Sequence, residues 1–300
     1  MAILCSVVVG SSSQVRRQLE YLAARTALLT LQYLPLKISE RLALGYARLL
    51  DLFLPRLRRT ALRNLTLALP QADAHAITDG IFRSIGRLLL TLSRFAQIDK
   101  SNVGEYIEYE GFEHYRQAKA RGKGVLFATA HLGNWELSAF AHALLTEPMH
   151  VVVRPLDNPA VDNLVEQRRM LSGNSVIRKT DAARDILRAL HRNEAVGILI
   201  DQNASLDEGV FIDFFGIPAC TGLAFAKIAN RSGAAVIPGF ALWSESKRKY
   251  ILRFYPIVEM TGSHTGDTQR IHTIIESVIR EYPDQWLWIH RRWKTQPPSS

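Results

Sequence analysis

The chain of 300 residues is 47% hydrophobic and 22% charged. This is a globular composition, which excludes a disordered or collagen-like chain and allows one large domain or two small ones. The two cysteines, Cys5 and Cys220, are too few for a disulfide framework. They predict a reducing compartment that faces the cytosol.

The net charge of +9 is concentrated near the N-terminus. Residues 1–70 contain ten Lys and Arg but three Asp and Glu, whereas residues 71–300 contain 27 basic and 25 acidic residues. Such a segment suits an anionic membrane surface or an acidic partner. Nucleic acid is disfavoured because the basic residues alternate with Leu rather than with aromatic stacking residues.

The N-terminal segment offers no clear membrane span. Residues 1–10 are apolar without a preceding basic region, which argues against a secretory signal. The longest charge-free apolar run after Arg25, residues 26–36, has eleven residues, fewer than the roughly 18 to 20 that cross a bilayer. Residues 15–34 combine Arg with many Leu and Ala. We interpret them as an amphipathic helix at an interface, with an ordinary first helix as the alternative.

Residues 12–98 have helical periodicity throughout and predict an N-terminal helical platform. Pro35, Pro55 and Pro70 mark plausible boundaries between its helices. The predicted helices span residues 15–34, 38–54, 56–69 and 72–95.

From about residue 105, strand and helix patterns alternate, which predicts an α/β fold with a central, largely parallel sheet flanked by helices. The apolar strands at 125–130 and 196–200 are typical of strands covered on both faces. Other strands are predicted at 106–109, 150–153, 175–177, 235–240 and 250–255. Helices are predicted at 113–120, 135–145, 160–171, 182–192, 223–231 and 268–282.

Three polar clusters follow predicted strands, where ligands bind in open α/β sheets. They are residues 131–136, which include His131 and Glu136; residues 154–159, which begin with Arg154; and residues 201–203, Asp-Gln-Asn. We expect one shared site at this edge.

The spacing His-x4-Glu is weak by itself, because the chain contains it twice, at His131/Glu136 and at His142/Glu147. His142 falls inside a predicted helix and Glu147 at its end, where polar residues are expected on the exposed side of the helix. His131 instead follows a strand, Asn134 is a plausible helix cap, and Glu136 falls in the first helical turn. A packed core histidine is the alternative.

A histidine base and a nearby carboxylate suit acyl transfer to a substrate hydroxyl, which then needs no protein nucleophile. The sequence contains no GxSxG elbow, P-loop, GxGxxG, HExxH or CxxC motif, which disfavours hydrolase, nucleotide and zinc chemistry. Arg154 either stabilises an oxyanion or binds a phosphate or pantetheine group, or it is a solvated arginine paired with Asp157. Residues 209–216 form a loop or short hairpin that lines an acyl pocket or belongs to the core.

The sequence also resembles the lipid A late (secondary) acyltransferases of the lysophospholipid acyltransferase superfamily. His-Leu-Gly-Asn-Trp-Glu at 131–136 looks like their signature, and further resemblances follow in order over residues 15–294. These segments are 59–70, 154–159 with Arg168, Arg169 and Lys179 downstream, 197–203, 210–221, 237–240 and 286–294.

The resemblance implies a membrane-associated O-acyltransferase with a glycerolipid-acyltransferase-like fold. It would move an acyl chain from acyl carrier protein, or acyl-CoA, to a hydroxyl of a lipid A-type glycolipid, without metal or cofactor. His131 would be the general base, Glu136 its partner, and Arg154 a contact to the donor or transition state. The substrate-binding residues are predicted to be Asn134, Asn158, Arg169, Lys179, Asp201, Gln202, Phe214, Phe215 and Gly216.

These expectations divide the chain into a membrane-associating segment (1–98), an α/β acyltransferase core (99–294) and a polar tail (295–300). The basic segment suits acidic carrier protein, phosphorylated glycolipid and the anionic cytoplasmic leaflet of the inner membrane. Attachment there would be peripheral or monotopic. Two alternatives remain open. One is another acceptor, such as a lysophospholipid or another glycosyl or amino lipid; the other is a non-catalytic module that binds lipid or carrier protein.

Overall fold

The computed structural model describes residues 14–179 and 182–298. The apolar residues 1–10, with Cys5, and the last two residues of the polar tail lie outside this range. Cys220 is buried with a free thiol.

Four helices form the N-terminal part and confirm the predicted helical platform. Pro35 is the N-cap of the second helix and Pro55 opens the third, so both prolines act at helix starts. Asp73 caps the fourth helix by accepting hydrogen bonds from the backbone amides of His75 and Ala76. The helices are α1 (Gln14–Tyr33), α2 (Leu36–Phe53), α3 (Pro55–Ala68) and α4 (Ala74–Ser93).

A seven-stranded sheet forms the centre of the remaining chain and confirms the α/β fold class. Its strands are β1 (Ile107–Glu110), β2 (Val125–Thr129), β3 (Met149–Val153), β4 (Ser175–Arg178), β5 (Ala195–Leu199), β8 (Ala235–Ser244) and β9 (Lys249–Phe254). The spatial order is β1-β9-β8-β2-β5-β3-β4. Neighbouring strands are parallel except β8 and β9, which pair as an antiparallel hairpin.

Helices connect and cover the strands. They are α5 (Val103–Tyr106), α6 (Phe112–Ala120), α7 (Trp135–Leu145), α8 (Pro159–Met170), α9 (Ala182–His191), α10 (Ala224–Ser232) and α11 (His264–Glu281), with short 3-10 turns at Phe95–Gln97 and Pro283–Gln285. Residues 209–216 belong to a separate hairpin of β6 (Gly209–Phe214) and β7 (Ile217–Gly222).

The core lies on both faces of the sheet. Along β2, Leu126 and Ala128 belong to one apolar cluster, and Val125 and Phe127 belong to the other. This alternation follows from the two-residue period of a strand, and both faces are apolar because both are covered.

The N-terminal helices pack directly on the α/β part of the chain. In α3, the side-chain amide of Asn64 donates hydrogen bonds of 2.7 Å to the carbonyls of Trp288 and His290. The division of the chain at residue 98 stays a prediction. Across residues 14–179 and 182–298, no helix has both the length and the apolar character needed to cross a bilayer.

Candidate active site

The register between β2 and β5 brings two polar clusters together. Thr129 pairs with Leu199 at the ends of these parallel strands. His131 and Asp201 each lie two residues beyond that pair, so they meet at the C-terminal edge of the sheet. The position agrees with the expected ligand site of an open α/β sheet.

His131 and Asp201 are joined by two hydrogen bonds. Nδ1 of His131 lies 2.9 Å from Oδ1 of Asp201, and the backbone amide of His131 donates to Oδ2 over 3.0 Å. Because an ionised carboxylate only accepts hydrogen bonds, Nδ1 carries the proton. Nε2 of the neutral ring is then an acceptor, and it lies 3.4 Å from Nε2 of Gln202.

Asp201 is held in its ionised form. Burial alone would raise the pKa of this carboxyl, but the electrostatic attraction and hydrogen bonds of the His131 imidazole, together with the indole of Trp286, lower the pKa below its usual range. Nε1 of Trp286 donates to Oδ2 of Asp201 over 2.7 Å. The carboxylate therefore fixes both the orientation and the tautomer of the imidazole.

Glu136 makes a buried ion pair with Arg169. Nε of Arg169 donates to Oε2 over 2.7 Å and Nη2 donates to Oε1 over 2.5 Å, which is a bidentate geometry. Burial opposes ionisation of both groups, yet the pair lowers the pKa of Glu136 and raises that of Arg169. In the described part of the chain, no hydrogen bond joins Glu136 to His131. The assisting role of Glu136 stays a prediction, and Asp201 is the carboxylate in contact with the ring.

Gly133 makes the turn between His131 and α7 possible. Its φ is +63°, and an added Cβ would lie 1.9 Å from the carbonyl oxygen of Ala241. Both backbone amides at this turn are hydrogen-bonded: that of Gly133 donates to the carbonyl of Gln285, and that of Asn134 donates to the carbonyl of Ala241. Only glycine fits here without displacing β8.

A mostly apolar cavity begins beside this site. It lies between α7 and the strands of the sheet and is partly open to solvent. Glu136 and Arg169 form its charged wall. The ring of Trp135 lines the cavity and lies 5.0 Å from the ring of His131, centroid to centroid. Its apolar walls include Phe127, Ala139, Met149, Val151, Val153, Leu199, Leu252 and Phe254.

Comparison with known proteins identifies the family. Residues 11–295 match the family model described as bacterial lipid A biosynthesis acyltransferase. The chain belongs to this family. The resemblance found in the sequence is thereby confirmed, and the protein is an acyltransferase.

Several curated relatives agree with this assignment. A lipid A biosynthesis acyltransferase of Haemophilus influenzae is 25% identical over 90% of this chain and 86% of its own length. The lipid A biosynthesis lauroyltransferase of Escherichia coli is 27% identical over 88% of each chain. The palmitoleoyltransferase of the same organism is 30% identical over 82% of this chain and 81% of its own.

Asn134 and Asn158, which were predicted to bind substrate, are helix N-caps. The side chain of Asn134 accepts the amide of Leu137 at the start of α7, and that of Asn158 accepts the amide of Ala160 at the start of α8. Asn158 also donates to the carbonyl of Arg17 over 2.8 Å. Both side chains are buried. Their structural contacts explain their residue type, and binding roles stay predictions.

Arg154 and Lys179 lie on the surface of the acyltransferase. The side chain of Arg154 is 75% exposed and lies 3.9 Å from Asp157, as the alternative interpretation expected. The exposed Lys179 continues from β4, and its backbone amide donates to the carbonyl of Val153 over 2.8 Å. Neither residue contacts His131 directly, and their roles toward a donor stay predictions.

Phe214, Phe215 and Gly216 lie at the β6–β7 turn. The two phenylalanines are buried and pack against tryptophans of the C-terminal segment. The ring of Phe215 stacks with the indole of Trp286, and that of Phe214 meets the same indole edge-on. Gly216 donates its amide to Asp213 with φ at +75°. These three residues do not line the cavity of this acyltransferase. The packing agrees with the core alternative for this hairpin.

The C-terminal segment completes the site through contacts that local sequence patterns do not predict. Besides the Trp286 bond to Asp201, the backbone amide of Leu287 donates to the carbonyl of His131 over 3.0 Å. His290 accepts the amide of Asn203, and burial lowers its pKa to about 4. The Trp-rich composition of residues 286–293 was the available signal, since indole N–H groups seek partners when buried.

Arg292 lies behind this site, fully buried. Its guanidinium donates to the carbonyl of Cys220 and to the hydroxyl of Thr221, and it stands over the ring of Phe214. Among the residues the structure covers, no group of three or more His, Cys, Asp or Glu side chains could hold a metal ion.

Proposed function

We propose that this acyltransferase moves a fatty acyl chain from acyl carrier protein, or acyl-CoA, to a hydroxyl of a lipid A-type glycolipid at the cytoplasmic face of the inner membrane. The activities by which two Escherichia coli relatives are named, lauroyl and palmitoleoyl transfer in lipid A biosynthesis, support this assignment. One observation carries it. An apolar cavity suited to a hydrocarbon chain begins next to an imidazole whose Nε2 can accept a proton.

His131 is the general base in this proposal. Nε2 takes the proton of the acceptor hydroxyl while the hydroxyl oxygen attacks the thioester carbonyl. The tetrahedral intermediate then collapses, the carbon–sulfur bond breaks, and the imidazolium returns the proton to the leaving thiolate. The products are an ester and a free thiol, so the reaction needs neither a protein nucleophile nor a cofactor.

Asp201 assists this step by holding Nδ1–H and by stabilising the imidazolium that forms. Glu136 acts together with Arg169 at the charged wall of the cavity, where the pair positions the thioester end of the chain. Arg154 supplies an exposed cation for the phosphate of the donor or for the acidic carrier protein. The charge balance of residues 1–70 favours the same acidic partners.

Other lipids are alternative acceptors in this reaction. A lysophospholipid, or another glycosyl or amino lipid, would present a hydroxyl to the same base. We therefore propose an assay with purified protein, a mixture of acyl carrier protein thioesters of different chain lengths, and total membrane lipid. Mass spectrometry of the products identifies both the acceptor and the chain.

His131→Asn is the decisive variant in this assay, and the exposed His191→Asn is its matched control. We expect an acylated glycolipid with the wild type and the control, and none above background with His131→Asn. Undiminished transfer by His131→Asn would overturn the mechanism. Detection of an acylated lysophospholipid would identify a different acceptor for the same type of acyl transfer. Donor binding without any turnover would favour the non-catalytic alternative.

A further inference from the structure

The apolar cavity beside the candidate active site contains a buried polar atom without a partner. His142, in the last turn of α7, is one of the residues that line the cavity. The exposed position expected for this residue is wrong, because it is only 2% exposed. Its Nδ1 lies 2.9 Å from the hydroxyl of Tyr109. Its Nε2 has no hydrogen-bond partner among the described residues, and a buried polar atom in this state is costly.

The imidazole of His142 faces the cavity rather than the protein surface. Phe127 and Phe254 belong to the cavity wall, and their ring centroids lie 5.3 and 5.9 Å from that of the imidazole. Tyr109, which binds Nδ1, does not line the cavity. Nδ1 is therefore the nitrogen on the outer side, and the unpartnered Nε2 is the one left for a molecule inside.

The protonation state of His142 prepares Nε2 for a hydroxyl group. Burial lowers the pKa of the imidazole to about 4, so the ring is neutral near pH 7 and one nitrogen carries the hydrogen. The hydroxyl of Tyr109 either donates to Nδ1 or accepts from it. Nε2 is then a donor in the first case and an acceptor in the second. A hydroxyl group fits both cases, because it donates and accepts.

A lone water molecule is a poor occupant of this position. The rings of Tyr115, Phe127 and Phe254 surround the imidazole, with centroids at 4.7, 5.3 and 5.9 Å. A buried water usually makes two to four hydrogen bonds, which aromatic walls do not provide. A hydroxyl on a hydrocarbon chain needs fewer polar partners, since burial of the neighbouring methylenes holds it in place.

The position of His142 along the cavity corresponds to the alkyl part of a bound chain. Glu136 lies in the first turn of α7 and His142 in the last, six residues later. At 1.5 Å per residue, His142 is about 9 Å further along the helix axis. If the thioester end of the chain lies at the Glu136–Arg169 pair, the carbons that pass His142 are well beyond the carbonyl.

Two glycines keep the sheet side of this cavity open. Gly197 of β5 and Gly239 of β8 both line it. An added Cβ would lie 2.8 Å from Cε of Met149 at the first position and 2.9 Å from Cδ1 of Phe254 at the second. Both contacts are with residues of the cavity wall. Larger side chains on these strands would push that wall inward, so the glycines preserve width for a chain.

We infer that the cavity selects a hydroxylated acyl chain, whose hydroxyl forms a hydrogen bond with Nε2 of His142. The donor class is then a hydroxyacyl thioester with its hydroxyl toward the methyl end. An unsubstituted chain fills the same space but leaves Nε2 unpaired. His142 thus determines donor specificity and takes no part in the proton transfer at His131. The inference rests on the proposed function, because it names the kind of chain that is moved.

Competition between two donors tests this selection with the wild-type protein. Each pair of acyl carrier protein thioesters has the same number of carbons, and one member carries a single hydroxyl at a chosen carbon. Total membrane lipid is the acceptor, and mass spectrometry gives the ratio of the products. We expect one range of hydroxyl positions to raise kcat/KM at least about tenfold over the unsubstituted chain. A hydroxyl on the second carbon, beside the carbonyl, should give no such gain.

His142→Phe tests whether Nε2 is the atom that recognises the hydroxyl. The substitution keeps a ring in the wall but removes both nitrogens, so the preference for the hydroxylated donor should fall at least about tenfold. Tyr109→Phe is the matched control, because it removes the bond at Nδ1 and leaves Nε2 in place. It should retain the preference. A merely structural role of His142 would lower kcat/KM for both donors by the same factor and leave their ratio unchanged.

Two results would overturn the inference. One is a wild-type protein that prefers no hydroxyl position, a result that depends on no variant. The other is a preference that survives in His142→Phe.

The same experiments separate this inference from the proposed function. Equal transfer of both donors would reject the inference and leave the proposed function standing. If no donor were transferred, the proposed function would fail, and displacement of a fluorescent fatty acid would test the cavity alone. A hydroxylated fatty acid should then compete better against the unsubstituted one in the wild type than in His142→Phe, and equal competition in both proteins would reject the inference.

Discussion

The Nδ1–H of His131 is directed at Oδ1 of Asp201 over 2.9 Å, although the nearer acidic residue in sequence, Glu136, is bound to Arg169. Two carboxylates thus do different work around one edge of the sheet. One orients the imidazole of His131, and the other balances a buried guanidinium. Replacing each by its amide separates these functions.

We expect Asp201→Asn to lower kcat by about three to four orders of magnitude with little change in KM. An amide can present its NH2 to Nδ1, which favours the wrong tautomer and removes the charge that stabilises the imidazolium. Steady-state kinetics with acyl carrier protein thioester measure the effect. Asp185→Asn, at an exposed position on α9, is the control. A kcat within about threefold of wild type would show that Asp201 does not support the base.

The buried ion pair of Glu136 and Arg169 should affect the stability of the protein. Removing one member leaves the other charge buried and unpaired, so Glu136→Gln should lower the free energy of unfolding by about 3 to 5 kcal/mol. The double variant Glu136→Gln, Arg169→Met removes both charges and should be the more stable of the two. Urea titrations followed by circular dichroism compare them. A double variant that is less stable than Glu136→Gln would contradict the idea that each residue stabilises the protein mainly by neutralising the other's buried charge.

The close approach of Gly133 to β8 can be tested with Gly133→Ala, and Gly122→Ala is the matched control. Gly133→Ala adds a Cβ 1.9 Å from the carbonyl of Ala241, whereas Gly122 has a similar φ of +69° and no neighbour within 4 Å. Both alanine variants carry the same backbone strain. Only Gly133→Ala must displace β8, so it should lose most activity and melt several degrees lower than Gly122→Ala. Equal melting temperatures and activities would contradict the close approach.

Two buried histidines and one half-buried histidine make the protein sensitive to acid. Burial lowers the pKa of His142, His272 and His290 from 6.5 to about 4. Between these values the unfolded chain binds protons that the native protein does not. The contribution of these histidines to the free energy of unfolding is therefore fully present above pH 6.5. It decreases toward pH 4, by about 1.4 kcal/mol per pH unit for each histidine.

Unfolding free energies between pH 5 and 6.5 measure this slope, above the range where the carboxylates with lowered pKa contribute. His142→Phe should remove about one histidine's share of the slope, and the exposed His191→Asn should leave it unchanged. If the free energy of unfolding of the wild type did not change with pH in this range, the pKa values of these imidazoles would not be lowered in the native protein.

The cavity predicts chain-length selection. Ala139 lies in its wall on α7, so Ala139→Phe fills part of the space. We expect the longest accepted donors to lose at least about tenfold in kcat/KM, while shorter donors lose less. Competition between carrier protein thioesters of different lengths, read by mass spectrometry, reports the change. Ala160→Phe, exposed at the start of α8, is the control. An unchanged product distribution would place the acyl chain elsewhere.

Local patterns predicted most of this fold. The helix predicted at 135–145 has those bounds, because the Asn134 cap and the apolar run after it are both local features. Strand β7 was missed, since its residues include Pro218 and Gly222 and form no alternating pattern. The start of α11 was placed four residues late, because the cap at Ser263 precedes the apolar periodicity.

The contacts of the site depended on information that local patterns do not carry. Strand order decides that β2 lies beside β5, and that order places Asp201 against His131. Spacing in the sequence favoured Glu136 instead, five residues away on the same chain segment. The indole of Trp286 reaches Asp201 from 85 residues further on, through the closing of the C-terminal segment over the sheet edge.

The reach of Trp286 also sets an order of events during synthesis. The ribosome makes the chain from its N-terminus, so α1 and α2 emerge first and Trp286 follows Asp201 by 85 residues. A nascent chain therefore carries α1 and α2 long before the carboxylate beside His131 receives its indole partner. The hydrogen bond from Trp286 to Asp201 can form only after nearly the whole chain has been made.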